Sequence, residues 1–475
     1  MQLKSAGVRE ERAPAAMPPR RPGRDLTQGS LLRSLLVLAT PLLASSLVGG
    51  VLFQLVDLKL VSGLGADATT AVVVTNQSIR QLFFMLVMGA SFGAQGLIAR
   101  SIGAGQRDAA DHAAGQVIVL GALVSGVVAV VGAAFPAQIL ASMNVSPAVL
   151  EVGTPYVRLA LMLSFGLVFG VLFGSILNGA GDTTTPLVIS IVQTAVSLVA
   201  EWCLMFGRLG LPALGIRGAA FGLGIGQSVG IALALAVLFS GRARVHLRRH
   251  HLRPDPALLA RIAALSWPPA LQMIGGFLVT VFFLRTMGDF GEKAQAAYSI
   301  GLRLGMVGPM LAFPLAGASA ILVGQSLGSG NVPRAWRALF VGLGAHATLL
   351  WTVGAAVALF RTQILQVFST DPEVVRIGSE LMLFQAGSFF AWGLYFVFFR
   401  ALQAAGDVTV SMLLSLGSSL LVTLPLGLAL ARSHGPTGVF TAGLVGSVVV
   451  TTLTGLWVAT GRWTRRFRVT PSAHA

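Results

Sequence analysis

Twelve apolar stretches, each of about the length needed to cross a lipid bilayer, dominate this 475-residue chain. A hydrocarbon core of roughly 30 Å requires about 20 apolar residues in an α-helix. Backbone polar groups within a bilayer are satisfied only in helices or closed barrels, so stretches of this length predict membrane helices. The predicted spans are 33–62, 70–99, 113–134, 152–178, 185–207, 214–240, 258–287, 295–325, 337–360, 375–402, 409–431 and 437–460. The sequence therefore predicts an all-α integral membrane protein.

Composition excludes several other classes of protein. Only 11% of the residues are charged, against roughly 25% in soluble domains. The net charge of +16 does not predict a nucleic-acid partner, because the positive residues stand at the ends of the apolar stretches rather than on one basic face. Cys203 is the only cysteine and the seven histidines show no ligand spacing. No disulfide and no metal site are predicted.

The distribution of Lys and Arg predicts the orientation. In the twelve-span arrangement, 22 of the 33 basic residues fall on the side that carries both termini, and 7 fall on the other side. Short basic loops are retained in the cytoplasm. We therefore expect a multi-pass protein of the bacterial inner (plasma) membrane with both termini cytoplasmic. The apolar stretch that begins near Leu31 is too long for a cleaved signal peptide.

The chain repeats itself at an offset of about 225 residues. The run 177–182 (LNGAGD) returns as 402–407 (LQAAGD), and 102–105 (IGAG) returns as 327–330 (LGSG). Six spans return the chain to its starting side, so the two halves insert with the same topology. The predicted fold is two parallel six-helix repeats related by a pseudo-two-fold axis along the membrane normal.

This repeat divides the chain into five parts. They are a cytoplasmic tail (1–30), a first lobe (31–240), a basic cytoplasmic linker (241–257), a second lobe (258–460) and a cytoplasmic C-terminal tail (461–475). The arginine-rich linker predicts contact with anionic lipid head groups. We expect a monomer whose other partners are membrane lipids and a small-molecule amphiphile.

The motifs resemble the multidrug and toxic compound extrusion (MATE) family of cation-coupled exporters. Leu55-Val56-Asp57 followed by Gly63-Leu64-Gly65 is similar to the family's first helix, and the segments 103–105 and 178–186 are similar to its inner loops. The resemblance covers residues 31–460 and implies two lobes, a central cleft and alternating access. Many members carry an acid in the seventh helix. The stretch after Pro268 lacks one, so the first lobe is expected to hold the coupling site.

Two intramembrane acids are the candidate coupling residues. An ionised carboxylate within a bilayer costs at least about 2.5 kcal/mol, so such an acid is a functional hypothesis by default. Asp57 lies near the outer end of the first span, and Glu201 lies inside the fifth. If they face one cavity, each raises the proton affinity of the other. The alternative for Asp57 is a structural pair with Lys59 or another polar neighbour.

Polar residues near these acids are candidates for binding substrate. Gln54 stands three residues before Asp57. Ser197 and Gln193 precede Glu201 at helical spacing and form a polar stripe with it. Arg80 and Arg303 also fall within predicted spans, where we expect ion pairs or cavity lining. The predicted substrate-binding residues are Gln54, Gln77, Gln193, Ser197 and Arg303.

These observations predict a secondary active exporter of amphipathic, cationic drugs or toxic metabolites. Inward H⁺ or Na⁺ is the expected coupling ion, and no cofactor is expected. The segment 103–105 lacks the Lys-Ser/Thr ending of a phosphate-binding loop, so ATP is not the energy source. One alternative is a flippase for lipid-linked precursors, which the intramembrane arginines favour. A membrane-embedded enzyme is less favoured because no catalytic cluster is evident.

Overall fold

The computed structural model describes residues 26–143 and 145–467, except for the side chains of Ala66, Gln77 and Arg466. Twelve helices in this part of the chain are long and apolar enough to cross a membrane, which confirms the predicted fold class. The first lobe contains α1 (Leu31–Ser62), α2 (Arg80–Gly103), α3 (Arg107–Ala134), α4 (Pro147–Gly179), α5 (Thr184–Phe206) and α6 (Ile216–Phe239). The second contains α7 (Pro256–Gly288), α8 (Glu292–Gly328), α9 (Val332–Gln366), α10 (Pro372–Ala405), α11 (Val408–His434) and α12 (Pro436–Arg465).

Shorter helical segments adjoin these spans. Two further α-helices are Ala66–Val74, which leads towards α2, and Pro136–Ala141, which follows α3. Three π-helical turns lie within α1, before α2 and within α11, at Leu47–Leu52, Thr75–Ile79 and Ser419–Thr423. Single turns of this kind often occur at functional sites. The predicted tails lie mostly outside the described residues, which begin at Leu26 and end at Phe467.

Local chemistry fixes where the long helices begin. Asp255 caps α7 by accepting hydrogen bonds from the backbone N–H groups of Ala257 at 3.0 Å and Leu258 at 3.2 Å. Asp371 caps α10 in the same way, accepting from Glu373 N–H at 2.8 Å. A proline follows each cap, at the position where its missing N–H costs nothing.

The outer surface of the bundle is apolar. Val127 and Val130 on α3 are 65% and 68% exposed, and Leu421 on α11 is 79% exposed. Side chains of this kind have no reason to face water across a whole molecular surface, whereas a lipid environment accepts them. The exposed apolar belt is therefore the lipid-facing surface of the two lobes.

The backbone repeats the two-lobe symmetry that the motifs predict. Glycines with positive φ occur in pairs at nearly the same offset: Gly105 and Gly330 at 73° and 74°, and Gly181 and Gly406 at 87° and 84°. These left-handed residues follow α2, α8, α4 and α10, so corresponding helices end in the same way. The repeat therefore extends from sequence motifs to the geometry of the turns.

The lobes pack together on the side that carries the linker and the ends of the described chain, called here the terminal side. A Cβ atom on Gly103 would lie 2.7 Å from the carbonyl carbon of Gln325, and one on Gly328 would lie 2.8 Å from that of Arg100. Each residue of one contact lies 225 positions from its counterpart in the other. The ends of α2 and α8 thus cross about the pseudo-two-fold axis.

Hydrogen bonds between the lobes reinforce this crossing, called here the seam. The Arg100 guanidinium donates to the carbonyl of Ala404, and Gln325 Nε2 donates to the carbonyl of Gly179 at 3.2 Å. These two bonds are also related by the repeat. On the opposite, distal side, apolar clusters around Tyr156 and around Phe440 each draw their members from one lobe. The structure is therefore closed at the terminal side.

The basic linker is a folded strap on the terminal end of α3. Gln116 donates to the carbonyls of His251 at 2.9 Å and Arg253 at 2.7 Å, and its own carbonyl accepts from Asp255 N–H at 2.9 Å. Asp111 accepts from the N–H of His246 at 2.8 Å. The strap, residues 241–255, therefore joins the first lobe through specific backbone contacts.

Candidate functional site

The two acids that the sequence singled out meet inside the first lobe. Asp57 projects from the distal part of α1, and Glu201 projects from α5, where it is 1% exposed. Their carboxyl groups hydrogen-bond to each other. Two carboxyl groups share a hydrogen bond only when one of them carries a proton, because two carboxylates offer acceptors and no donor. The pair is therefore built to hold a proton.

A buried arginine completes this acidic pair. The guanidinium of Arg80, at the start of α2, is close enough to attract both carboxyl groups electrostatically. It donates to Asn76 Oδ1 at 3.2 Å, and the Tyr156 hydroxyl donates to the same oxygen at 3.5 Å. Several helical segments thus contribute to one polar cluster. We call Asp57, Glu201, Arg80, Asn76 and Tyr156 the acidic cluster.

The acidic cluster changes its net charge with its proton content. With one shared proton, the two carboxyl groups carry one negative charge between them, which the charge of Arg80 balances. Loss of that proton leaves a net charge of −1 in a site shielded from water, where attraction for a cation is strong. The arrangement can therefore exchange a proton for a positively charged group.

The polar stripe on α5 packs against a glycine face on α6. A Cβ on Gly222 would lie 2.6 Å from Glu201 Cγ, and one on Gly226 would lie 2.7 Å from the backbone nitrogen of Ser197. Gln193 lies over the next glycine in the same way. Small residues at one face let membrane helices approach closely. Ser197 and Gln193 lie at this helix interface, and substrate contact by them stays a prediction.

The remaining predicted residues lie apart from the acidic cluster. Gln54 is exposed on α1, one turn before Asp57, and Arg303 is exposed on α8 in the other lobe. The side chain of Gln77 is outside the described residues. Lys59, the alternative partner of Asp57, is exposed. Contact with substrate by Gln54, Gln77 and Arg303 stays a prediction.

Sequence reasoning missed two features of this region. Asn76, which joins Arg80 to Tyr156, lies in a π-helical turn, and no sequence signal singles it out. Arg100 and Arg400 were counted among the charges that set the orientation, yet both contact the other lobe at the seam. Each closes an apolar run at the end of a span, and their helical context was the available signal.

Histidines that are scattered in the sequence come together on the strap. The ligand atoms of His250, His251 and Asp108 lie within 4.8 Å of one another. However, His251 Nδ1 accepts the Arg248 N–H at 3.2 Å, so the hydrogen of the neutral ring is on Nε2. A metal-bound histidine instead donates from its second nitrogen. The group therefore suits docking of the strap better than metal binding.

Comparison with known proteins agrees with this geometry. The sequence model of the MatE family matches residues 43–203 and 268–428, about two thirds of the chain. The matched segments begin 225 residues apart, which is the offset of the repeated motifs. The chain belongs to the MATE family of transporters. MATE membership explains the two parallel lobes and confirms the resemblance noted in the motifs.

Curated relatives of this MATE chain are transport proteins rather than enzymes. It is 27% identical to the probable multidrug resistance protein YoeA of Bacillus subtilis, over 85% of this chain and 88% of that protein. It is 25% identical to the probable multidrug resistance protein NorM of Thermotoga maritima, over 91% and 93% of the two chains. The chain is thus a multi-pass membrane protein of the multidrug efflux class.

Solved MATE structures share the fold. A crystal structure of MATE in the bent conformation superposes with a TM-score of 0.85 at 20% identity, covering 94% of this chain and 98% of the other. The outward-facing conformation of a multidrug resistance MATE family transporter gives 0.84 at 20% identity, covering 95% of this chain and all of the other. At this level of identity the likeness establishes architecture.

Proposed function

We propose that this MATE transporter exports amphipathic cations in exchange for protons, with the acidic cluster as the coupling site. The hydrogen bond between Asp57 and Glu201, beside Arg80, carries the proposal. That bond requires a proton, and the charge balance of the cluster favours a single one. Deprotonation creates a net negative charge that attracts a cationic substrate into the first lobe.

Proton coupling fits the cluster better than Na⁺ coupling. A bound Na⁺ needs several oxygen ligands and no adjacent cation, by the same logic that governs other hard cations. Here the Arg80 guanidinium already attracts both carboxyl groups and would repel a metal ion. The Asn76 carbonyl oxygen also accepts from Arg80 and Tyr156, so it is occupied.

Closure at the terminal side supports alternating access. The distribution of Lys and Arg predicts that the terminal side is cytoplasmic in the bacterial inner membrane, so the seam is the inner gate and the described state faces outward. The proton then enters from outside to displace the cation. Substrate enters from the cytoplasm after the seam separates. One chain holds both lobes and the whole acidic cluster, so a monomer suffices.

The test is transport by purified protein in liposomes under an imposed pH gradient or an imposed Na⁺ gradient. A panel of cationic and anionic amphiphiles of similar size serves as substrates. We expect cation movement driven by the pH gradient, with proton flux in the opposite direction. Transport driven by Na⁺ alone would contradict the coupling ion, and transport limited to anions would contradict the substrate class.

A further inference from the structure

A small cavity in the seam contains an arginine with no carboxylate partner. The cavity lies between α2, α8 and α10 and is lined by Phe92, Gln95, Ala320, Arg400 and Gln403, among others. It has room for one water-sized particle. Arg400 is 3% exposed, so its guanidinium is removed from bulk water. This cavity is separate from the acidic cluster, since it is built from the terminal ends of the helices.

Neutral groups alone surround this guanidinium. Arg400 donates one NH₂ group to Gln403 Oε1 at 2.7 Å and the other to Gln95 Oε1, and its Cζ lies 4.0 Å from the centre of the Phe92 ring. No Asp or Glu forms an ion pair with it in the described part of the chain. Buried charges in proteins are normally paired. Arg400 therefore lacks its expected counter-charge.

Two hydrogen-bond donors of the cavity are also unused. Arg400 Nε and Gln403 Nε2 are buried without a partner. The direction of the Gln403 amide is fixed, because its oxygen accepts from Arg400, so its nitrogen points elsewhere. A water molecule would accept these hydrogen bonds but leave the charge unbalanced. A monatomic anion satisfies the donors and the charge together.

We propose that this cavity is a binding site for one small halide ion, chloride being the probe of choice. Its ligands are Arg400 and Gln403 from α10, and Gln95 from α2 holds the guanidinium in place. The available room excludes sulfate and larger anions.

The site is complete only while the seam is closed. Gln95 belongs to the first lobe, whereas Arg400 and Gln403 belong to the second. A ligand that binds one conformation better than another shifts the population towards it. Halide binding therefore stabilises the state closed at the terminal side, and the ion leaves when the lobes separate there.

The pseudo-symmetric position provides a matched control. The positions 225 residues before Arg400 and Gln403 are Ser175 and Asn178, which bring no charge. One halide site per molecule is thus expected. Gln403→Glu places a carboxylate beside Arg400 and replaces the halide with an internal anion, whereas Asn178→Asp adds the same charge at the equivalent place without an arginine.

Binding of radioactive chloride to the purified protein, with its thermal midpoint in chloride and in gluconate at equal ionic strength, tests the site. We expect saturable binding of about one ion in wild type and Asn178→Asp, with a higher midpoint in chloride. Gln403→Glu should lose at least tenfold in chloride affinity and show equal midpoints in both salts.

Two results would overturn the proposal. Absence of saturable chloride binding in the wild type means that the cavity holds only water, and this result does not depend on the folding of any variant. Unchanged chloride affinity in Gln403→Glu, with the protein still folded, means that the ion binds elsewhere. The proposed proton coupling is independent of both outcomes, because it depends on residues of the first lobe.

Discussion

At the scale of single residues, the two coupled acids differ in their surroundings. Glu201 is almost fully buried against the glycine face of α6, whereas Asp57 is half-buried on α1. The distal side of the cluster is therefore reached through Asp57. A proton entering from that side meets Asp57 first, and Glu201 is the inner partner. This order makes Asp57 the more informative residue to change.

We expect Asp57→Asn to remove proton-coupled export while the protein stays folded. The amide keeps a hydrogen bond to Glu201, but the cluster then has one carboxylate balanced by Arg80 and no proton to exchange. Dye export and substrate-induced proton flux should fall to the level of empty liposomes. The control is Asp67→Asn, an exposed acid in the helix that leads to α2. Full export by a folded Asp57→Asn protein would remove Asp57 from the coupling site.

At the scale of elements, the approach of α5 and α6 depends on the glycine face. Gly226 lies where any Cβ would collide with the backbone of Ser197. A bulky residue there forces the helices apart and displaces Glu201, which is one turn along. Overpacking of this kind costs about 1–3 kcal/mol.

We therefore expect Gly226→Val to lower thermal stability and to weaken proton-coupled export together. Gly443→Val on α12 is the matched control, because a Cβ at Gly443 meets no atom within 4 Å. Its midpoint and export should stay near wild type. Equal loss of stability in the two variants would mean that helix propensity, rather than contact between α5 and α6, is responsible.

The strap is the second element whose behaviour follows from its contacts. Burial lowers the pKa of His251 below its ordinary value of 6.5, and the nearby positive charge of His250 acts in the same direction. A hydrogen bond from His112 lowers the pKa of Asp255. Both depressed pKa values stabilise docking at neutral pH, because the undocked strap binds more protons in acid. The other ionisable groups facing His251 are Asp108, Asp111 and His112.

Docking of the strap should consequently weaken as pH falls below 6.5, first through His251 and then, near the ordinary range of a carboxyl group, through Asp255. Hydrogen exchange of residues 245–253, corrected for intrinsic rates, measures it. One proton permits at most about a tenfold change per pH unit. In His251→Gln the dependence between pH 7 and 5.5 should be lost. Persistence of the same dependence in that variant would assign it to another group.

At the scale of the whole molecule, the seam controls which side is open. The reciprocal contacts of Gly103 with Gln325 and of Gly328 with Arg100 leave no room for a side chain. The two contacts are equivalent under the repeat, so the same substitution in either lobe should have the same effect. This equivalence makes the symmetry itself testable.

Gly103→Val and Gly328→Val should each hold the terminal side open and slow transport. A cysteine replacing buried Ala320 in the seam, in a protein whose Cys203 is replaced by Ala, reports the opening by its rate of alkylation. We expect a several-fold faster reaction in both variants. Gly126→Val, at a position with free space around its Cβ, should leave the rate unchanged. A slow rate in both seam variants would show that these contacts do not form the gate.

The sequence by itself determined the fold class, the repeat and the candidate acids. Twelve apolar stretches have one favourable environment, and an offset of 225 residues between motifs requires two equivalent lobes. The rarity of acids within apolar spans singled out Asp57 and Glu201. These inferences succeeded because they depend on length, composition and spacing, which the bilayer constrains directly.

Only the tertiary structure decided which side chains meet. It brought Asp57 to Glu201 and Arg80, turned Ser197 and Gln193 towards the glycines of α6, and buried Arg400 without an acid. The sequence could not give these results, because the rotation of each helix and the contact between lobes depend on packing across hundreds of residues. The same apolar spans are compatible with many rotations, and close packing at particular glycines selects one of them.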